Sequence, residues 1–383
     1  MKVYLINDTS GAGNWGCRAT TAALMRMVET RGGRIFDTMP LRRMGIASDD
    51  PVPQQYQDFE SMANKMMKRK IWKPEYEALE RTDIAVINGE GSIYDRQRKG
   101  RSMLFMAYVA KKHFAKPCIL VNHTADIHDR VMAEIACEVY PLMDDVVFRE
   151  PLSLELSGGR LKGHCAADAA FIYEPASESM WRQSVARDGG SFSIWPDRAP
   201  RFNSQEPYIC VGGSSIYLRP DRPWYDPVPS FNYLCKTLQE KLAPVVLTSC
   251  DVSDQTIFRQ IAAQLGLPAV DLTTPTQQAV DILGNAAVYI SGRWHPSIFA
   301  LTGGTPIVTL TANTFKMRAL IKQTGLDAPT FDALQLHKFV DDIVSLATLY
   351  ISHGTTIREQ LRKRTQELSV LAWDNVRYFE RPS

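Results

Sequence analysis

The stretch Val288-Tyr289-Ile290-Ser291-Gly292-Arg293-Trp294-His295-Pro296-Ser297-Ile298-Phe299-Ala300 decides the fold. An apolar run of strand length stops at Ser-Gly, a charged and aromatic junction follows, and an apolar segment of helical spacing begins. Thr302-Gly303-Gly304-Thr305-Pro306 then turns the chain into another apolar run, Thr305–Leu310. Strand, helix and strand on this scale form a βαβ unit, whose strands run parallel and are buried on both faces.

The same alternation extends outward. Further strands are expected at Tyr208–Val211, Pro244–Thr248, Ala269–Leu272 and Ala287–Ser291, with helices at Gln255–Leu265, Thr276–Leu283 and His295–Thr302. In the first half the expected strands are Lys2–Asn7, Gly33–Asp37, Asp83–Asn88, Pro117–Asn122, Asp144–Phe148 and Ala169–Tyr173. Trp15–Arg31, Ser102–Phe114 and Asp129–Tyr140 have helical spacing, and residues 39–60, rich in Pro, Asp and Gln, read as an exposed excursion. This pattern predicts an α/β protein of two Rossmann-like domains with parallel sheets and a cleft between them. A chain of 383 residues suits two domains at roughly 100–200 residues each. We expect an N-terminal, acceptor-side domain over 1–185, a Gly- and Pro-rich linker over 186–206 and a C-terminal, donor-binding domain over 207–350. Residues 351–383 read as a helix packing across the domains.

Composition narrows the function. Lys plus Arg number 44 and Asp plus Glu 42, a balance that leaves no broad nucleic-acid footprint. The N-terminus turns polar at Asn7, too early for a signal peptide, and no apolar run is long enough to span a bilayer. The seven cysteines are scattered without CxxC spacing, which suits reduced thiols in the cytoplasm. The Arg and Lys residues of the tail suit contact with a membrane surface, although packing of a solvated amphipathic helix is the commoner outcome. Nothing in the sequence fixes an oligomeric state.

Four junctions carry the chemistry. After the first strand, Asn7-Asp8-Thr9-Ser10-Gly11-Ala12-Gly13-Asn14-Trp15-Gly16-Cys17-Arg18 is a glycine-rich turn opening a helix, with backbone N–H groups suited to an anion or a substrate oxygen. We read Asn14, Trp15 and Arg18, with Ser92, as acceptor-side residues. In Asn88-Gly89-Glu90-Gly91-Ser92 the flanking glycines are expected to expose the Glu90 carboxylate at a strand end, where a general base belongs. In Phe148-Arg149-Glu150-Pro151-Leu152-Ser153 the guanidinium of Arg149 suits a carboxylate or phosphate, or a salt bridge to Glu150 or Asp168. Asp168 reads as a structural partner. At the fourth junction Arg293 and His295 pair a cation with a proton donor at a helix start. Gly212-Gly213-Ser214-Ser215 and Lys316 are weaker elements of the same anion site. There is no glycine-flanked DxD pair, no HExxH and no GxSxG, so group transfer without a metal or cofactor is the economical reading.

At these residues the sequence resembles the polysaccharide pyruvyl transferase family. The likeness rests on Gly13-Asn14-Trp15-Gly16, Asn88-Gly89-Glu90-Gly91-Ser92, Arg149-Glu150-Pro151-Leu152-Ser153 and Ala167-Asp168-Ala169-Ala170-Phe171. It is strongest at Ser291-Gly292-Arg293-Trp294-His295 with Gly304-Thr305-Pro306, followed by Lys316. The resemblance implies a GT-B-like fold and phosphoenolpyruvate as donor, its pyruvyl group moved as a ketal onto a sugar of a cell-surface glycan or its lipid-linked precursor. It further implies that Arg293 and Lys316 bind the donor's phosphate or carboxylate, that Arg149 holds the carboxylate, and that His295 protonates the enol methylene. A lipid-linked acceptor implies work at the inner face of the membrane.

A second reading stays open. The Gly213-Ser214-Ser215 loop, with Arg219 later, suits a nucleotide phosphate, and His295-Pro296 also resembles the cytidine-nucleotide site of bacterial sialyl- and Kdo-transferases with GT-B folds. There Glu90 is the base, His295 with Ser214 and Ser215 holds the CMP phosphate, and Tyr217 and Trp294 wall the nucleobase.

Overall fold

The computed structural model describes residues 1–45, 48–185, 206–219 and 221–380. Of the expected linker, residues 186–205 lie outside the described residues. The chain forms two compact units, each assembled from separated stretches: Met1–Ala12, Cys17–Ala169 and Leu368–Ser383 make the first, Gly13–Gly16 and Ala170–Glu367 the second.

The first unit holds β1 (Lys2–Asp8), β2 (Arg34–Pro40), β3 (Ile84–Tyr94), β4 (Cys118–Asp126), β5 (Asp145–Phe148) and β6 (His164–Cys165), in the order β2-β1-β3-β4-β5-β6. Every pairing is parallel. The near-continuous apolar run Val3–Ile6 is what a strand covered on both faces requires. Helices Trp15–Thr30, Arg98–Lys112 and Arg130–Val139 follow the expected spacing.

Three expectations are corrected here. Residues 39–60 are not an exposed excursion, because Met39, Met44, Val52 and Phe59 are buried in the core, and helix Phe59–Met67 begins within the stretch. The sixth strand is not Ala169–Tyr173. Residues Ala169–Ile172 form a 3-10 turn, since the Ala169 N–H donates to the Asn122 side chain rather than to a neighbouring strand. The third and fourth strands also run past Asn88 and Asn122 into the polar residues beyond.

The second unit holds β7 (Ile209–Ser214), β8 (Val245–Thr248), β9 (Ala269–Val270), β10 (Val288–Gly292), β11 (Ile307–Leu310) and β12 (Thr330–Phe331), in the order β12-β11-β10-β7-β8-β9, again all parallel. Strand β7 continues through Gly212-Gly213-Ser214, so the expected Gly/Ser loop is strand, followed by a 3-10 turn at Ser215–Leu218. Asp251 caps helix Val252–Leu265 by accepting from the Ser253 N–H.

The terminal helix starts earlier than expected, at Val340, and runs to Ala372 with a kink at Gly354. Several of its cations are committed to backbone carbonyls of the second unit. Arg358 donates to the carbonyls of Gly284, Ala286 and Gly303, Arg362 to Gly303, and Arg364 to Gln323. Guanidinium groups on carbonyls at helix ends complement the negative pole of those helices. Among the described residues no helix is long and apolar enough to cross a membrane.

Candidate active site

In the second unit the C-terminal ends of β7, β10 and β11 are neighbours, and the residues that follow them meet. Asn313, just past β11, is the hub. The Ser215 hydroxyl donates to its Oδ1 at 2.9 Å, the Lys316 ammonium donates to the same oxygen at 2.7 Å, and Arg219 Nη1 donates to its carbonyl at 2.7 Å. The Ser214 hydroxyl donates to the Thr311 carbonyl. The sequence-predicted donor residues Ser214, Ser215, Arg219 and Lys316 are thus brought together. Arg219 also holds Asp221 with two nitrogens, at 2.8 and 2.7 Å.

Arg293 sits differently from expectation. It is 5% exposed, with Nη2 at 2.7 Å from Asp254 Oδ1, 2.7 Å from the Ser253 hydroxyl and 3.7 Å from Asp251. Burial works against its charge, but the Asp254 and Asp251 carboxylates outweigh that and hold the guanidinium above its ordinary pKa. Its guanidinium therefore answers buried carboxylates, and its backbone starts helix Trp294–Thr302, with His295 the second residue. Gly213 makes room for the pair: a Cβ there would collide with Asp254, 2.7 Å from its Cγ.

Asn14 and Trp15, expected on the acceptor side, group with the second unit. Trp15 is fully buried and its indole N–H donates to the Asp271 carbonyl at 3.1 Å, so it packs rather than offers a stacking face. Asn14 accepts from the Gly16 N–H at 2.9 Å and donates to Asp251 at 3.2 Å. Tyr217 and Trp294, expected as nucleobase walls, are buried too. The Tyr217 hydroxyl donates to the Ala333 carbonyl and its ring stacks on Tyr225.

In the first unit Glu90 is not exposed by its glycines. It is 4% exposed, with φ of 46°, and its carboxylate accepts from the Thr9 hydroxyl at 2.7 Å, from Asn88 at 3.3 Å and from the Cys17 thiol at 3.5 Å, with Lys99 3.7 Å away. Arg149, 1% exposed, donates to Asp168 and to the Thr124 hydroxyl, each at 2.9 Å, which is the salt-bridge alternative of the sequence reading. Ser92 is buried in β3 and Arg18 is half-buried.

Sequence reasoning missed a polar floor at the ends of β1, β3 and β4. Asn7, Glu90 and Asn122 all have left-handed backbone, an arrangement that costs about 1–3 kcal/mol each and collects at functional sites. Asn7 Oδ1, Asn88 Oδ1, Asn122 Nδ2 and His123 Nε2 are buried without a partner. Burial pushes the His123 imidazole down to about 3 against the Val147 carbonyl that Nδ1 faces at 2.8 Å, so the ring is neutral and Nε2 is a bare acceptor. The available signal was a buried-strand run ending in Asn on three adjacent strands. Asp254 and Asn313, the other residues missed, have no local signal. Among the described residues no three His, Cys, Asp or Glu side chains gather as a metal-ligand group.

Two six-stranded parallel sheets define a GT-B-like α/β fold, and the family match makes the protein a transferase. The chain belongs to the polysaccharide pyruvyl transferase family, whose pattern it matches over residues 46–313. Solved structures with the same fold include a spinosyn rhamnosyltransferase complexed with thymidine diphosphate, at 11% identity, full coverage of both chains and a TM-score of 0.56. The UDP-GlcNAc 2-epimerase of Neisseria meningitidis, bound to UDP-GlcNAc, is similar at 9% identity over 96% of this chain and 98% of its own, with a TM-score of 0.56. The UDP-GlcNAc 2-epimerase of Methanocaldococcus jannaschii gives 9% identity over 97% of this chain and all of its own, with a TM-score of 0.55. Comparison with the curated proteins gives no match.

Proposed function

We propose that the protein moves the pyruvyl group of phosphoenolpyruvate onto two hydroxyls of a sugar, in a cell-surface glycan or its lipid-linked precursor. The reading rests on family membership and on one observation, the gathering of Ser215, Arg219 and Lys316 on Asn313 beyond strand ends of the second unit. Cations and hydroxyls on a fixed amide suit a donor that carries both a phosphate and a carboxylate.

In this reaction protonated His295 gives its proton to the methylene carbon of the donor, which becomes a methyl group. One acceptor hydroxyl adds to the adjacent carbon, the bond from that carbon to the phosphate oxygen breaks, and phosphate leaves. The second hydroxyl closes the ketal. Of the two hydroxyl protons released, one restores His295 and the other leaves with phosphate. Arg293 acts from its pair with Asp254, fixing the start of the helix that carries His295. In the first unit Arg149, paired with Asp168, holds the chain in place just past β5. These steps call on no metal ion, and a lipid-linked acceptor places them at the inner face of the membrane.

A nucleotide-sugar donor is the second reading. It is favoured by the fold shared with proteins solved with thymidine diphosphate and UDP-GlcNAc. Thermal melting of the purified protein with phosphoenolpyruvate, CMP, UDP and GDP in parallel separates the two. A ligand at 100 times its Kd stabilises by about 2.7 kcal/mol. Stabilisation by phosphoenolpyruvate alone, lost in Lys316→Ala, is the expected outcome, with turnover abolished in His295→Ala. Stabilisation by CMP or UDP alone overturns the proposal in favour of glycosyl transfer.

A further inference from the structure

We infer that the loop Gly13-Asn14-Trp15-Gly16 is a positioning device for His295, with Gly16 as the backstop of the imidazole. The inference rests on the role given to His295 above. Four residues from the start of the chain group with the second unit rather than with the strand that precedes them, and three hydrogen bonds hold them there. The Trp15 indole donates to the Asp271 carbonyl at 3.1 Å, the Trp15 N–H donates to the Cys250 carbonyl at 3.3 Å, and Asn14 donates to Asp251 at 3.2 Å. Asn14 also caps its own helix by accepting from the Gly16 N–H, so one amide ties the start of that helix to Asp251.

That anchoring brings the Gly16 backbone against His295. A Cβ on Gly16 would collide with Nδ1 and Cγ of the ring and lie 2.5 Å from the His295 Cβ, closer than any real contact. Gly16 is the second residue of helix Trp15–Thr30 and its φ lies outside the left-handed region, so no backbone conformation calls for glycine there. The glycine is explained by the ring it faces.

The partner of Asn14 joins this contact to the charged pair. Asp251 caps helix Val252–Leu265 and lies 3.7 Å from Arg293, whose backbone begins the helix carrying His295. The starts of three helices are thereby tied through Asn14, Asp251 and Arg293, with Gly16 closing on the imidazole. A proton donor must be held in one orientation to reach the carbon it protonates, and a displacement of about 1 Å is enough to cost about 100-fold in rate.

The test compares full-length wild type, Gly16→Ala, Asn14→Ala and His295→Ala with phosphoenolpyruvate as donor. Turnover is read together with the nitrogen signals of the His295 ring in protein labelled at histidine. We expect Gly16→Ala to lower kcat by about 100-fold, with the KM for phosphoenolpyruvate within about twofold, and to shift the ring signals. Asn14→Ala, which puts no methyl group against the ring, should lower kcat in the same direction by a smaller factor, and it carries the test if Gly16→Ala fails to fold. Unchanged kcat and unchanged ring signals in the folded variants would overturn the inference. If His295→Ala keeps full turnover, the acid role proposed above fails by itself, and the ring signals alone then decide whether the loop fixes the imidazole.

Discussion

Arg149 and Asp168 show how this protein handles charge at the level of single side chains. Both are almost wholly buried, joined by an ion pair at 2.9 Å, and the guanidinium also donates to the Thr124 hydroxyl. Removing one partner of a buried pair leaves the other charge unmatched, which costs about 3–5 kcal/mol. Asp168→Ala should therefore unfold at markedly lower urea concentration, and replacing both residues by apolar ones of similar size should recover much of the loss. Asp145 gives the opposite exposure to solvent conditions. Burial alone would raise its carboxyl, but His164 at 3.4 Å and Arg377 at 3.0 and 3.1 Å hold it below the ordinary 3.8. A carboxyl depressed in the fold stabilises above its unfolded value and loses that contribution as pH falls toward the folded one. Stability measured by denaturant titration should fall as pH drops below about 3.8, and Asp145→Asn should flatten that fall.

At the scale of elements, the tail after Ala372 behaves as a plug for the first sheet. The Asn375 side chain accepts from the Asn122 N–H and donates to the Ala167 carbonyl, both at 2.8 Å, and all of these groups are buried. Asn375→Ala strands one donor and one acceptor, and a buried group left unpaired costs about 1–3 kcal/mol. The loss should appear as a lower urea midpoint without a change in slope. The apolar cores of the strands were legible in the sequence because burial on both faces demands uninterrupted runs such as Ile84–Ile87 and Val288–Ile290. Their polar continuations were not. Asn88-Gly89-Glu90 and Asn122-His123 read as strand ends, yet the ladder carries on through them because Thr9 and the Val147 carbonyl, distant in sequence, take up their side chains. Strand β12 is two residues long, too short for any periodicity. At the candidate site the junction Ser291–His295 was legible from its strand-to-helix switch. The commitment of Arg293 to Asp254 was not, since 39 residues separate them and Asp254 looks like any acid in a helix's first turn.

At the scale of the molecule, both units are discontinuous, and the family match over residues 46–313 excludes both the loop at 13–16 and the closing segment from Leu368. The order of synthesis then works against the order of assembly. Residues 1–12 and 17–169 leave the ribosome well before the segment from Leu368, so the unit they belong to lacks Asn375 and Arg377 until that segment is made. At about 5–20 residues per second, translating the intervening stretch of roughly 200 residues takes about 10–40 s. During that interval the nascent sheet waits with Asn122 and Ala167 uncovered, a window in which a chaperone would find its client.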